Sequence, residues 1–315
     1  MKRLAFVVAC LAGFACVGCG GAAPLPPAAI ALNENGAKAL QEGDLETATA
    51  RLEVALEYNP EFVEALGNLG LVELARGNFA RARQLLERAV RLNPDVVQPH
   101  HGLGVLAERE HRPDEASVHY RDALRLDPGF TASRANLGRL LLQAGQVEHA
   151  LVQFRKLREV APREIAGVSG LIECLMLLGR HAEARAEFSA VSGEIALSPR
   201  LALLQAREWI HTGQVNDARQ LLTPLAALRD DYGVAANAWL GVIELTEKRP
   251  EAALRRARAG LALDLDHPLT LFVAAVALDE LDDPGASAWL QRALRANPNN
   301  TELAQRTALR ERAAR

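Results

Sequence analysis

Pro60, Pro94, Pro128 and Pro162 fall 34 residues apart, and Gly36, Gly70, Gly104 and Gly138 keep the same interval. No single helix or strand repeats at that length, so each interval is one supersecondary unit and the chain is a stack of such units. The interval runs on through Ala48, Ala82, Ala116, Ala150, Ala184 and Ala218, and through Gly43, Gly77, Gly145, Gly179 and Gly213, with His111 in the missing glycine slot. A stack of this kind presents an extended interaction surface made of repeated helix pairs, not an enzyme pocket.

Each position in the interval has a physical reason. Gly and Ala at the two inner positions let paired helices approach closely, since a larger side chain would push the axes apart. Gly77 and its equivalents turn the chain after the first helix, because glycine tolerates the left-handed conformation that ends a helix. The closing proline lacks an amide donor and disfavours helix in the residue before it, so the second helix stops there. Pro113, Pro250 and Pro284 sit near expected starts of second helices, where proline is tolerated.

The residues resemble the tetratricopeptide repeat family, whose motif is W-x2-L-G-x2-Y, then A-x3-F, then P. In the second repeat Leu66 stands at the Trp position, Leu69-Gly70 at the L-G pair, Ala82 and Leu86 at A-x3-F and Pro94 at the end, while Glu73 replaces the Tyr. The resemblance implies an all-α fold, an α-solenoid of about eight helix pairs. The frame gives repeats at 29–62, 63–96, 97–130, 131–164, 165–198, 199–233, 234–266 and 267–300. Residues 29–198 hold the five clearer repeats and 199–300 three divergent ones; 301–315 read as a capping helix with a charged outer face. Pro224, inside an expected second helix, should kink or shorten it, which makes 190–233 the expected place for a bend or boundary.

The N-terminus reads as an address. Lys2 and Arg3 precede a 14-residue apolar run, Leu4 to Val17, then Gly18-Cys19. That run is too short to span a bilayer, and the order of charge, apolar run and small residues is that of a secretory signal over 1–18. A small residue followed by Cys19 resembles a bacterial lipobox, which implies a lipid on Cys19. Cleavage without lipid, or lipid on Cys10 or Cys16, are the other readings. Residues 19–28 then form a tether, and the resemblance implies an outer-membrane lipoprotein facing the periplasm, held to the membrane without a spanning helix.

Loss of Lys2 and Arg3 takes the formal charge from −3 to −5, and aromatics make up 4% of the chain. An acidic chain without a basic cluster or stacking platforms is a poor nucleic-acid binder. Cys174 is the lone cysteine of the repeats, so a disulfide framework is excluded and the thiol should be shielded. His100, His101, His111 and His119 share no single i, i+4 face and read as solvated repeat positions, so no metal is expected. Ser192, Ser198 and His211 have no G-x-S-x-G elbow, and no phosphate-cradling glycine loop occurs, so neither catalysis nor a cofactor is expected.

In the tetratricopeptide family the first helices line a concave groove for a peptide. Carried over by position, that implicates Asn33, Asn68, His101, Asn136, Arg139, Arg207, Trp239 and Phe272. The lysine-and-asparagine clamp that some relatives use for a terminal carboxylate is absent, with Arg139 and Arg207 as possible substitutes. Groove positions turn apolar toward the C-terminal half (Leu203, Leu204, Ile210, Trp239, Val242, Leu245, Leu271, Phe272), as a docking patch or as core. The resemblance thus implies protein or peptide clients in the cell envelope. Pilotin-like assembly of a type IV pilus or secretion secretin is the first choice; an adaptor for cell-wall hydrolases or polysaccharide export machinery, or an enzyme subunit, are the alternatives.

Overall fold

The computed structural model describes residues 25–195 and 198–313. The regular elements among them are all α-helices, packed in pairs as an α-solenoid. Two compact units divide after Glu110. In the first, α1 (Pro27–Gln41) packs on α2 (Leu45–Tyr58), α3 (Val63–Arg76) on α4 (Phe79–Leu92), and α5 (Val97–Arg109) on both α3 and α4. The second opens with α6 (Pro113–Leu126), α7 (Thr131–Gln143), α8 (Val147–Val160), α9 (Ile165–Leu177), α10 (His181–Ala190) and the short α11 (Ser192–Ile195). It continues with α12 (Pro199–His211), α13 (Val215–Leu225), α14 (Asp231–Thr246), α15 (Pro250–Leu261), α16 (Pro268–Glu280), α17 (Ala286–Ala296) and α18 (Thr301–Ala313). The expected signal segment and Cys19 lie outside the described residues. Of the expected tether, Pro27 and Ala28 are already helical.

The turn between paired helices is made by a left-handed residue. Gly77 has φ 80°, and Gly43, Gly145, Gly179 and Gly213 share the sign. A Cβ built on any of these five would meet nothing within 4 Å, so the requirement for glycine is conformational and not steric. Where the glycine is missing, the backbone keeps its path regardless: His111, Lys248 and Asp282 have φ of 59°, 60° and 53°. Lys248 and Asp282 carry strain that the packed helices on either side impose.

The closing prolines act on the residue before them. Asn59, Asn93 and Asp127 sit in extended conformation, with φ/ψ of −147/104°, −146/105° and −132/98°, as a following proline demands. Their side chains then accept the amide two residues on, at 2.9, 2.9 and 2.8 Å, in turns that carry the chain into the next helix.

Inner positions show why the repeat needs small residues. Ala48, Ala82, Ala116, Ala150, Ala184 and Ala218 are each 0% exposed. A Cβ on Gly36 would stand 2.6 Å from Leu52, one on Gly70 2.7 Å from Leu86, and one on Gly138 2.8 Å from Phe154. Phe154 also closes on Gly170, so one aromatic ring seals two successive repeats. Glu73, at the Tyr position, is buried; Asn78 donates to its Oε2 at 2.7 Å and Arg81 lies 3.4 Å from Oε1. A buried carboxylate with two partners has taken the place of an aromatic ring.

Departures from the repeat have local causes. α13 ends at Leu225 with Pro224 in its last turn, and is 11 residues long where α8 has 14. α10 stops after ten residues. The last helix is held by charge as well as by buried Leu303: Arg306 and Arg310 reach Asp279 at 2.8 and 2.6 Å. Burial pushes the Asp279 carboxyl up, but hydrogen bonds from Arg310 and Arg306 bring it below its ordinary value. His100 is buried, not solvated, with Nε2 2.9 Å from the Pro94 carbonyl oxygen; its helical phase turns it toward the preceding loop.

Two substitutions separate the steric from the conformational requirement. Ala82→Leu overpacks the α3–α4 pair and should lower stability by about 1–3 kcal/mol. Lys248→Gly relieves a left-handed lysine and should raise stability by about 1 kcal/mol. Thermal unfolding of both variants checks the register: a lower Tm for the first and a higher Tm for the second are expected.

Candidate protein-binding groove

The first helices carry the candidate residues, and several of these are tied to one another. Asn68 on α3 donates from Nδ2 to Asn33 Oδ1 on α1 at 2.9 Å. Asn136 on α7 donates to the Tyr120 hydroxyl on α6 at 3.2 Å. Both asparagines are half-buried and link neighbouring helices. Arg139 donates to Gln143 Oε1, one turn along its own helix, at 3.4 Å. His101 on α5 is half-buried, and burial pushes its pKa down to about 4 against the opposing pull of Glu108. Phe272 packs against the core cluster of α15–α17.

Arg207 and Trp239 are brought together in the open. The Arg207 guanidinium lies over the Trp239 ring, 5.6 Å from its centroid, within cation–π range. Two clefts on α9, α12 and α14 meet at this pair. One, of about 510 Å³, takes in Glu173, Arg200, Leu203, Leu204, Arg207, Asp230, Asp231 and Tyr232. The other, of about 340 Å³, is walled by Met176, Leu177, His181, Ile210, His211 and Trp239, again with Arg207. Arg200 is paired with Glu173 at 3.3 Å and Asp230 caps α14, but Arg207 has no carboxylate partner among the described residues. A cation over an indole, beside apolar walls, suits a carboxylate or another planar acceptor next to an apolar side chain. Arg139 lines neither cleft.

The apolar run is therefore divided. Leu204 and Leu271 are core; Leu203, Ile210 and Trp239 pack against the α12–α14 core and still line the clefts; Val242, Leu245 and Phe272 pack against the next cluster.

Sequence position alone misses the support of this groove. Glu208, 1% exposed, lies 2.9 Å from His181 Nδ1 and 3.3 Å from Arg185, and the His181 ring stacks on His211 with centroids 4.4 Å apart. The signal was present: Glu173–Arg200 and His181–Glu208 are both separated by 27 residues, as are Asp279 and Arg306. Cys174 on α9 is shielded as expected, and burial raises its thiol to about 12.

Comparisons agree with this architecture. Residues 39–103 and 107–169 match a family described as tetratricopeptide repeat. A tetratricopeptide repeat protein from Parabacteroides merdae ATCC 43184 aligns with TM-score 0.57 and 17% identity over 80% of this chain and 100% of its own. A chain of the APC/C hetero-tetramer Cut9-Hcn1 aligns with TM-score 0.66 and 15% identity over 84% of this chain and 52% of its own. At such identities the likeness is one of fold. The comparison with curated proteins gives no match.

The buried imidazole gives a pH dependence with a fixed sign. The folded pKa of His101 lies below the ordinary 6.5, so between about 6.5 and 4 the unfolded chain binds more protons than the folded one. Its contribution to stability is whole above that window and declines as the pH falls through it. Thermal melts should show a shallower acid-side loss for His101→Leu than for the wild type.

Proposed function

We propose that this member of the tetratricopeptide repeat family is a non-catalytic scaffold of the bacterial cell envelope, tethered by lipid on Cys19, which holds a segment of a protein client in the groove of α9, α12 and α14. The observation that carries the reading is the Arg207–Trp239 pair where two clefts meet. Repeat helices elsewhere pair their charges with each other, as Arg155 does with Glu183 at 3.1 Å and Arg158 with Glu187 at 3.1 Å. Arg207 instead presents its cation to the opening, beside Leu177, which is 55% exposed. An extended client segment with an acidic group flanked by an apolar side chain satisfies both. The Cut9-Hcn1 structure is itself a complex of protein chains, and what it lends this chain is the class of partner, a protein.

The envelope address rests on the charged start, the short apolar run and Gly18-Cys19. Two acyl chains or more would anchor the protein stably, leaving the repeats free to meet their client beside the membrane. Assembly of an envelope secretin, in the manner of a pilotin, is the client process proposed first.

A photo-cross-linker at Leu177 in living cells should yield one dominant protein adduct, and Arg207→Ala should remove it while leaving the Tm within about 2 °C, as expected for a half-buried side chain outside any ion pair among the described residues. Cross-linking unchanged by Arg207→Ala would remove the groove assignment. Cys19→Ala should abolish incorporation of a palmitate analogue and release the protein from membranes; labelling that persists would remove the anchor assignment.

A further inference from the structure

A third cleft, of about 590 Å³, lies on the other face of α12, and it exists because α10 is short. α8 runs 14 residues, whereas α10 ends at Ala190 after ten. After a break at Val191 the four-residue α11 contacts α12 in place of a longer α10, and Gln205, Glu208, Trp209 and Thr212, spaced i, i+3, i+4 and i+7, share the strip that lines the cleft. The volume falls in the range of small-molecule sites, about 300–1,000 Å³.

The wall is polar but does not call for a charge. Among the described residues that line it, Arg185 and Glu208 are the charged ones, and they are paired with each other at 3.3 Å, with His181 closing on Glu208 at 2.9 Å. An anionic ligand would meet the Glu208 carboxylate and a cationic one the Arg185 guanidinium. The remaining polar groups are neutral: the amides of Gln205 and Gln214 and the hydroxyls of Ser189, Ser192 and Thr212. Ser189 and Thr212 each donate to a backbone carbonyl of their own helix, which leaves their oxygens able to accept. Trp209, half-buried, supplies an aromatic wall with Phe188 and Leu221 beside it.

Gln205 is the decisive residue. It is 6% exposed, its side chain is hydrogen-bonded to no described residue, and its amide opens to solvent through the cleft. A carboxamide that opens into a cleft is met there by water, and a ligand that displaces that water must replace its hydrogen bonds. A carboxamide offers one donor and one acceptor side by side, the complement of another amide. The rest of the wall asks for an uncharged body with several hydroxyls and one apolar face to lie on an indole.

We propose that this cleft binds a neutral saccharide bearing an acetamido group, with the sugar ring on Trp209 and the acetamido group paired to Gln205. The site lies outside the client groove and stands independently of it. α12 contributes to both, and the His181–Glu208 contact joins the two faces.

The test is calorimetric titration of the full chain with N,N′-diacetylchitobiose, followed in parallel by tryptophan fluorescence. Saturable binding is expected, with a fluorescence change absent in Trp209→Phe. Gln205→Leu, close in volume and free of the unpaired amide, should retain or raise the Tm and weaken binding at least tenfold. Cellobiose, which lacks the acetamido group, should bind at least tenfold more weakly than the amino sugar. Three results would overturn the assignment: no heat or fluorescence change at millimolar sugar, equal binding by Gln205→Leu, or equal binding of N-acetyl-glycyl-alanine amide. Arg207→Ala, which alters only the other face, should leave sugar binding unchanged.

Discussion

Everything in this chain depends on how closely two helices can lie. Second helices press leucine or phenylalanine side chains onto glycine backbone, as Leu86 does at Gly70 and Phe154 at Gly138 and Gly170, where even a methyl group would have to displace them. Dispersion contacts at that separation are many and dense, and the alanines facing them are wholly buried. The approach is short-range and repeats from pair to pair, so each element within a unit is stabilised mainly by its neighbours. A fold assembled this way tolerates irregular members provided the close contacts persist. In a divergent repeat Gly241 on α14 meets Val273 of the next first helix, α16, in place of a residue on its paired helix.

The irregular members are where chemistry collects. α10 breaks off beside the Gln205 face of α12, and a proline in the last turn of α13 brings that helix to an early stop. Around them lie the open Arg207–Trp239 pair, the stacked His181 and His211, and the buried Glu208. Elsewhere, charges on successive second helices pair with each other, as Arg155 does with Glu183 and Arg158 with Glu187.

How far the sequence foretold this follows from what kind of physics was involved. Proline and glycine act through the backbone alone, so their spacing placed the turns, and the left-handed conformation even survives where His111 stands in the glycine slot. Side-chain pairings across helices depend on rotation about each axis, and single residues do not reveal it. Asn33 and Asn68 were named as separate groove positions and are bonded to each other; His100 was read as solvated and is buried. Arg207 and Trp239 were named separately, and only the packing of α12 on α14 shows them as one feature. The cleft around Gln205 had no motif at all, because it arises where α10 breaks off at Val191 and α11 takes over.

Cys174 offers a consequence of a different kind. Its sulfur is fully enclosed on α9, and burial holds its thiol far from ionisation. A disulfide reagent attacks only a thiolate it can reach, so modification requires the helix to part from its neighbours first. In an oxidising surrounding that makes the thiol a clock for breathing of the middle repeats: the rate of its capture measures how often the stack comes undone there, without any added label.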